Sequence, residues 1–359
     1  MSRAYNFNAG PAVLPVEVLE QARDEMVDFN KSGMSIIEHS HRGKEYDAVH
    51  QEAAANIRKL LNLTDEYAVL FLQGGASLQF AMVPMNLLGA GQTADYVNSG
   101  AWASKAVKEA KLIGSVNVSA NTEKDIPTKL PRIEDLKLTK GAAYVHITSN
   151  ETIAGTQWKK FPVTEAPLVA DMSSDMLSRS FDAKQFGLIY AGAQKNLGPA
   201  GVALVIIRKD LAERVSEKVP TMLKYKTHIE ENSLYNTPPC FSIYIMMLVT
   251  RWVQKMGVAN LYKQNVDKAA KIYSAVDNSG GFYKGTAVRE FRSDMNITFR
   301  LPSEPLEETF VKEASKLGMK GLKGHRSVGG IRASVYNAFP LEGINALTSF
   351  MADFQQKNG

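Results

Sequence analysis

The chain has 359 residues, of which 45% are hydrophobic and 22% charged, close to the averages for globular proteins. This composition excludes a disordered or fibrous protein, and the length predicts two or three domains at about 150 residues each. The net charge of +5 is a small excess for this length, so it does not indicate a nucleic-acid-binding surface. The one cysteine, Cys240, excludes an internal disulfide framework and a cysteine-based zinc site.

The first predicted elements are an extended segment over residues 1–14 and two helices over residues 15–32 and 44–62. The N-terminal residues lack the continuous apolar run of a secretory signal. The most apolar later segment, Cys240 to Val249, is far shorter than the about 20 residues that cross a bilayer. We therefore expect a cytoplasmic protein without a membrane segment.

Short apolar segments and helical segments then alternate. Strands are predicted over 67–72, 93–98, 115–119, 142–148, 168–171, 188–191 and 202–208, with helices over 76–88 and 101–113 between the first three. Strands without polar alternation indicate a mostly parallel sheet with helices on both faces. The predicted fold class is therefore α/β, with ligands bound at the loops that follow the carboxyl ends of the strands.

The order of elements changes in the last third of the chain. A helix-rich stretch over 242–276 is followed by predicted strands over 296–301 and 329–335 and helices over 306–317 and 341–355. This order predicts a smaller C-terminal α+β domain. We expect a large domain over 15–260 and a small domain made of 1–14 and 261–359.

A lysine and an aspartate are the sharpest candidates for chemistry. Lys195 lies among small residues between two predicted strands, and Asp171 ends the apolar strand 168–171. A carboxylate at the end of a buried strand needs a cationic partner. The pair suits pyridoxal phosphate, for which a lysine forms the Schiff base and a carboxylate keeps the pyridine nitrogen protonated. A lone lysine in a loop is more often a surface residue, so the spacing leaves both interpretations open.

Three further features follow predicted strands. The segment Gln73–Leu78 joins a strand to a helix, and its glycines expose backbone N–H groups that could bind a phosphate. Trp102 begins the next helix, where an indole could stack on a cofactor ring, and the Thr152 hydroxyl could bind a ring oxygen. Taken singly, each also fits an ordinary turn or core residue.

A set of short motifs, taken in their order along the chain, resembles that of the phosphoserine aminotransferase family, in the class V branch of fold-type I pyridoxal-phosphate enzymes. They are Asn8-Ala-Gly-Pro11, His39-Ser-His-Arg42, Gly74-Gly-Ala-Ser77, Trp102, Ser149-Asn-Glu-Thr152, Asp171-Met-Ser-Ser174, Gln194-Lys195, Tyr235-Asn-Thr-Pro238 and His325-Arg-Ser-Val-Gly-Gly-Ile-Arg332. The resemblance covers nearly the whole chain.

The resemblance implies a role for each matching residue. Lys195 and Asp171 would be catalytic, with Asp171 paired to the pyridinium and Trp102 stacked on the ring. The other cofactor-binding residues would be Gly75, Ala76, Ser77, Thr152 and Gln194, together with Asn236 and Thr237 of a neighbouring subunit in a homodimer with shared active sites. The substrate-binding residues would be His41, Arg42, His325, Arg326 and Arg332. Some family members carry a basic residue at the position of Ser77, which is neutral here.

The implied activity is the transfer of an amino group from L-glutamate to 3-phosphonooxypyruvate, giving O-phospho-L-serine and 2-oxoglutarate in serine biosynthesis. Use of a second phosphorylated substrate, in pyridoxine biosynthesis, stays open. Arginine suits these substrates because it forms bidentate bonds to carboxylates and phosphates. No metal, nucleic acid or membrane partner is expected.

Three alternatives to this activity agree less well with the sequence. An aminotransferase of the alanine–glyoxylate type would use the same cofactor, but its small uncharged side chain needs no extra cations such as the two His-Arg pairs. An anion- or nucleic-acid-binding protein would show a basic tract, which the sequence lacks. Cysteine desulfurase chemistry is disfavoured because Cys240 lies beside Pro238-Pro239 rather than in a mobile loop.

Overall fold

The computed structural model describes residues 3–359, and within that range the chain forms ten α-helices and fourteen strands. The helices are α1 (Val16–Asp24), α2 (Lys44–Leu61), α3 (Gly75–Leu87), α4 (Ala101–Ile113), α5 (Lys209–Ala212), α6 (Tyr225–Glu230), α7 (Cys240–Met256), α8 (Val258–Asp277), α9 (Glu304–Lys316) and α10 (Leu341–Asn358). The strands are β1 (Tyr5–Asn6), β2 (Tyr67–Leu72), β3 (Thr93–Asn98), β4 (Ser115–Asn121), β5 (Val145–Thr148), β6 (Asn150–Glu151), β7 (Thr156–Gln157), β8 (Leu168–Asp171), β9 (Phe186–Gly192), β10 (Ala203–Arg208), β11 (Lys284–Gly285), β12 (Asn296–Arg300), β13 (Met319–Lys320) and β14 (Ile331–Ser334).

A seven-stranded sheet organises the larger part of the described chain, in the order β2-β10-β9-β8-β5-β3-β4. The pairs from β9 to β4 are all parallel, whereas β10 is antiparallel to both β2 and β9. Six strands therefore run in one direction, and their carboxyl ends share one edge. The prediction of a mostly parallel sheet is confirmed.

Helices cover both faces of this sheet. Val69 and Phe71 of β2 pack into a core with α1, α2 and α7, while Leu70 and Leu72 pack into a second core with α3 and α4. Burial of each such side chain contributes about 1.5–3 kcal/mol. Because alternate residues meet two different cores, the strands carry apolar residues at every position rather than at every second one.

A separate core lies in the last third of the chain. It is built around β12, β14, α9 and α10, and it includes Phe7 and Val13 from the N-terminal segment. Helix α8 contributes to both parts, since Leu261 packs into the large core and Ile272 into the small one. We propose that the division between residues 15–260 and the small domain of 1–14 and 261–359 passes along this helix.

Most predicted elements agree with the structure, but the first helix was predicted too long. It ends at Asp24, and the chain then turns through a loop in which Asn30 and Lys31 have positive φ angles. The Asp28 carboxylate accepts a hydrogen bond from the Gly33 N–H at 2.7 Å and holds this loop closed. The strand predicted from residue 142 begins at Val145, and the short helices α5 and α6 were not predicted.

The described residues contain neither a membrane-spanning helix nor a cluster of metal-ligating side chains. None of the helices there combines the length and apolar character needed to cross a membrane. No group of three or more His, Cys, Asp or Glu side chains in the same range is placed to hold a metal ion.

Candidate active site

The shared carboxyl edge of the sheet brings the candidate residues together. Strand β2 leads into the loop before α3, β3 into the start of α4, and β5 into the segment Ser149–Thr152. Asp171 is the last residue of β8, and Lys195 follows β9 by three residues. Parallel strands place these five connections side by side, so residues distant in sequence meet in one cleft.

Lys195 is buried, with 9% of its surface exposed, and its Nζ donates a hydrogen bond to Thr152 Oγ1 at 2.7 Å. Burial lowers the pKa of Lys195 to about 8, partly offset by the negative charge of Asp171, while the positive charge of Arg332 lowers it further. A larger fraction of the amine is therefore neutral near pH 7 than in an ordinary lysine. A neutral amine at this position can accept a proton or attack a carbonyl carbon.

Asp171 is a buried carboxylate held in a fixed orientation. The backbone N–H of Ser173 donates to Asp171 Oδ1 at 2.9 Å, and Ser149 Oγ donates to the Asp171 carbonyl oxygen at 3.0 Å. Burial raises the pKa of Asp171, whereas the hydrogen bonds from Ser173 and the charge of Lys195 lower it. Such a carboxylate favours a cationic group beside it.

Trp102 lies beside the amine of Lys195, whose Nζ is 5.7 Å from the centroid of the indole. The buried Nε1–H of Trp102 has no hydrogen-bond partner in the described part of the chain. The ring therefore offers an aromatic surface beside the amine of Lys195, and it carries one donor that the described residues leave unused.

Glu151 holds the start of α4 and was not identified from the sequence. Its carboxylate accepts hydrogen bonds from the N–H groups of Ala103 at 3.1 Å and Trp102 at 3.4 Å. Complete burial raises the pKa of Glu151 to about 7, although these two hydrogen bonds lower it. Gly100 is required here, because a Cβ at that position would lie 2.6 Å from the Glu151 side chain. The sequence signal that could have identified Glu151 is its position directly before Thr152.

The start of α3 forms an open backbone cradle. Gly74 and Gly75 have positive φ angles of 82° and 61°, and no atom lies within 4 Å of a Cβ built on Gly75. The N–H groups of the first helical turn, which includes Ala76 and Ser77, have no partner within the helix. Together with the positive end of the helix dipole they can bind an anion.

Asn236 and Thr237 lie next to this cradle within the same chain. Asn236 Nδ2 donates to Gln73 Oε1 at 2.9 Å, and Gln73 Nε2 donates to the Thr237 carbonyl oxygen at 3.1 Å. On the other side of the cleft, the carbonyl oxygen of Gln194 accepts a hydrogen bond from the Ala12 N–H at 2.9 Å. The N-terminal segment therefore packs against the residue that precedes Lys195.

A cluster of positive charges borders the cleft. Burial lowers the pKa of His325, and the nearby charges of Arg332, Arg326 and Lys105 lower it further. Arg332 lies on β14 and is half-buried, and its Nε has no partner in the described residues. Lys105, on α4, was not identified as a candidate from the sequence.

His41 and Arg42 stand apart from this cluster. They lie in the loop that precedes α2. Within residues 3–359, no hydrogen bond or ion pair joins either side chain to Lys195, Trp102 or Arg332. The structure thus brings together the predicted cofactor residues and the C-terminal cations, but not the N-terminal His-Arg pair.

Comparisons with known proteins agree on one family. The family model for class-V aminotransferases matches residues 4–347. Phosphoserine aminotransferase of Geobacillus kaustophilus is 58% identical over 358 residues, which is 99% of both chains. The structure of the Bacillus circulans subsp. alkalophilus phosphoserine aminotransferase superimposes with a TM-score of 0.98 at 57% identity over 99% of both chains. The phosphoserine aminotransferase of Trichomonas vaginalis, solved with pyridoxal phosphate bound, gives a TM-score of 0.94 at 41% identity, covering 98% of this chain and 100% of that one.

Proposed function

The chain belongs to the class-V aminotransferase family, and from this premise we propose that it transfers the amino group of L-glutamate to 3-phosphonooxypyruvate. The products are 2-oxoglutarate and O-phospho-L-serine, and the cofactor is pyridoxal phosphate. The observation that carries the proposal is the buried amine of Lys195, placed close enough to Asp171 for the two charges to interact. Close relatives named phosphoserine aminotransferase support the substrate assignment.

The residues present fit pyridoxal phosphate. The cradle at Gly75–Ser77 offers unpaired backbone donors to its phosphate, and Gln194 lies beside the same cleft. Asp171 would face the ring nitrogen, Trp102 would cover the ring, and Thr152 would bind the ring oxygen. When bound, the cofactor supplies an aldehyde for the lysine and an electron sink for the substrate's α-carbon.

Lys195 and Asp171 divide the proton chemistry. Lys195 Nζ, with a pKa of about 8, would take the proton from the substrate's α-carbon. General acid–base help of this kind is typically worth about 10²–10⁴-fold in rate. Asp171 would hold a proton on the cofactor's ring nitrogen through its negative charge. Thr152 orients the lysine amine through the 2.7 Å hydrogen bond.

The cation cluster selects the substrates. Glutamate and O-phospho-L-serine each carry an α-carboxylate and a second anionic group, and Arg332 and Arg326 are close enough to His325 for their charges to act on it. Arginine binds carboxylates and phosphates with two parallel hydrogen bonds, which fixes orientation as well as charge. A substrate with a small uncharged side chain would leave part of this cluster unused.

We further propose that two copies of the chain share their active sites. Large apolar side chains are exposed between α1 and α2, among them Val27 at 82% and Ile37 at 57%. Exposed apolar residues grouped in one segment are typical of a protein interface. His41 and Arg42 directly follow this segment. If two copies of the chain pair through the segment, these two residues would lie close to the active site of the second copy. The resemblance implies that Asn236 and Thr237 would reach the partner's cofactor phosphate, although both also border the cradle of their own chain.

The reaction is tested by the visible spectrum of the purified holoenzyme. Glutamate should shift the absorption of the bound cofactor, and 3-phosphonooxypyruvate should restore it with O-phospho-L-serine as product. Pyruvate and glyoxylate serve as matched acceptors without a phosphate. Equal or faster restoration with either of them would contradict the proposed substrate.

Shared sites are tested by complementation. Lys195→Ala subunits are coexpressed with subunits that carry Asn236→Ala and Thr237→Ala. If these residues act across the interface, each mixed dimer keeps one intact site, and about a quarter of all sites are active. If they act within their own chain, mixed dimers have no intact site and activity does not recover. Coexpression of Lys195→Ala subunits with Arg42→Ala subunits tests in the same way whether Arg42 acts across the interface.

A further inference from the structure

We propose that Lys105 binds the phosphate group of the substrate, which makes it a specificity-determining residue of this site. This inference rests on the proposed function. Lys105 lies in the first turns of α4, three residues after Trp102. Its Nζ is 4.1 Å from the centroid of the Trp102 ring.

Trp102 links Lys105 to the reacting centre. The Nζ of Lys195 is 5.7 Å from the same centroid, so both lysine nitrogens lie close to one indole. The two nitrogens are therefore at most about 10 Å apart, a distance that a three-carbon phosphate ester with one hydrogen bond at each end can span. The buried Nε1–H of Trp102, unpartnered in the described chain, lies on the ring that both lysines contact.

The charge around Lys105 lacks a counterion. Its positive charge acts on His325 together with those of Arg326 and Arg332. In the part of the chain that the structure describes, none of Lys105, Arg326 and Arg332 forms an ion pair with a carboxylate. Like charges held together repel each other, and a bound anion removes that cost.

A phosphate fits Lys105 better than a carboxylate does. A phosphate monoester carries a charge of about −1.5 to −2 at pH 7, and a carboxylate carries −1. Lysine binds phosphate as a compact point charge, without the planar geometry that suits arginine and carboxylates. Lys105 is exposed, so it can meet a ligand without the rest of the fold moving.

Three variants test this role by the kinetics of the holoenzyme. Lys105→Met should lower kcat/KM for 3-phosphonooxypyruvate about 10-fold, mainly through KM, the size of one charge-assisted contact. The kcat/KM for glutamate should change by about twofold or less, because the γ-carboxylate of glutamate carries less charge than a phosphate. Lys105→Arg should keep most of the activity. Lys111→Met, at an exposed lysine on another face of α4, controls for net charge.

A binding measurement separates this inference from the proposed function. Calorimetric titration with 3-phosphoglycerate, which has neither an amino nor a keto group, reports anion binding without turnover, and glycerate is its control without phosphate. Lys105→Met should weaken 3-phosphoglycerate binding about 10-fold. Unchanged binding, or equal losses of kcat/KM for both substrates, would overturn the role of Lys105. An inactive wild-type enzyme that still binds 3-phosphoglycerate through Lys105 would instead contradict the proposed reaction.

Discussion

The two sides of the cleft are built differently. On the cofactor side, Lys195, Thr152 and Glu151 are buried in the large core and hydrogen-bonded to their own chain. On the substrate side, Lys105 and Arg326 are exposed and form no ion pair in the described chain. The first side is organised before any ligand arrives, whereas the second holds positive charge that an anion must complete.

This contrast predicts which kinetic constant each change affects. Groups that act only while bonds are forming and breaking determine kcat, and groups that hold the substrate before and during reaction determine KM. Substitutions on the buried side should therefore lower kcat, and substitutions among the cations should raise KM. Four predictions follow this division, in order of decreasing effect.

Removal of the amine should have the largest effect. Lys195→Ala is expected to lower kcat at least about 1,000-fold, because it removes the amine proposed to exchange the proton at the α-carbon. The cofactor should then be held without a covalent bond, so borohydride should fail to attach it to the protein. Lys184→Ala, at an exposed lysine, is the control. Wild-type transamination by Lys195→Ala would disprove the assignment.

Removal of the buried negative charge of Asp171 should have the second-largest effect on kcat. Asp171→Asn is expected to lower kcat about 100-fold with little change in KM, because a neutral amide no longer holds the proton on the ring nitrogen. The asparagine can keep the hydrogen bond from the Ser173 N–H, so the variant should fold. Steady-state kinetics and the melting temperature are the measurements. A decrease in kcat below about threefold would contradict the role of Asp171.

The pH dependence of cofactor capture tests the burial of Lys195. Only the neutral amine can attack the cofactor aldehyde, and burial lowers the pKa of Lys195 to about 8. The rate at which cofactor-free protein binds pyridoxal phosphate covalently should rise about tenfold per pH unit below that pKa and level off above it. Stopped-flow absorbance measures the rate. A rise that continues to pH 10 would indicate an ordinary exposed lysine.

The smallest effect is expected on the substrate side. Arg332→Lys keeps the positive charge but loses the planar pair of donors, so KM for both substrates should rise about fivefold while kcat changes little. Substrate titrations at saturating co-substrate measure both constants. A loss of kcat with unchanged KM would show that the two sides of the cleft are not separate in function.

Much of the sheet could be predicted because its signal is local. The strand at residues 67–72 and the helix at residues 101–113 agree with the structure to the residue, since the strand is a continuous apolar run that ends just before Gly74 and the helix lies between Gly100 and Gly114. The spacing of Lys195 and Asp171 left two interpretations open, and only the ordered set of motifs along the chain indicated one cofactor. The end of α1 was missed because a single hydrogen bond, donated by the Gly33 N–H to the Asp28 carboxylate, closes the following loop.

The sequence by itself determined the fold class, the family and the two residues proposed for proton transfer. Only the tertiary structure decided that Glu151 anchors the start of α4, that Lys105 joins the cations near His325, and that β10 runs against its neighbours. Each of these depends on a contact between segments far apart in the chain. Such contacts leave no local pattern in the sequence. They depend on how the helices and strands pack together and on which groups then lie beside each buried charge.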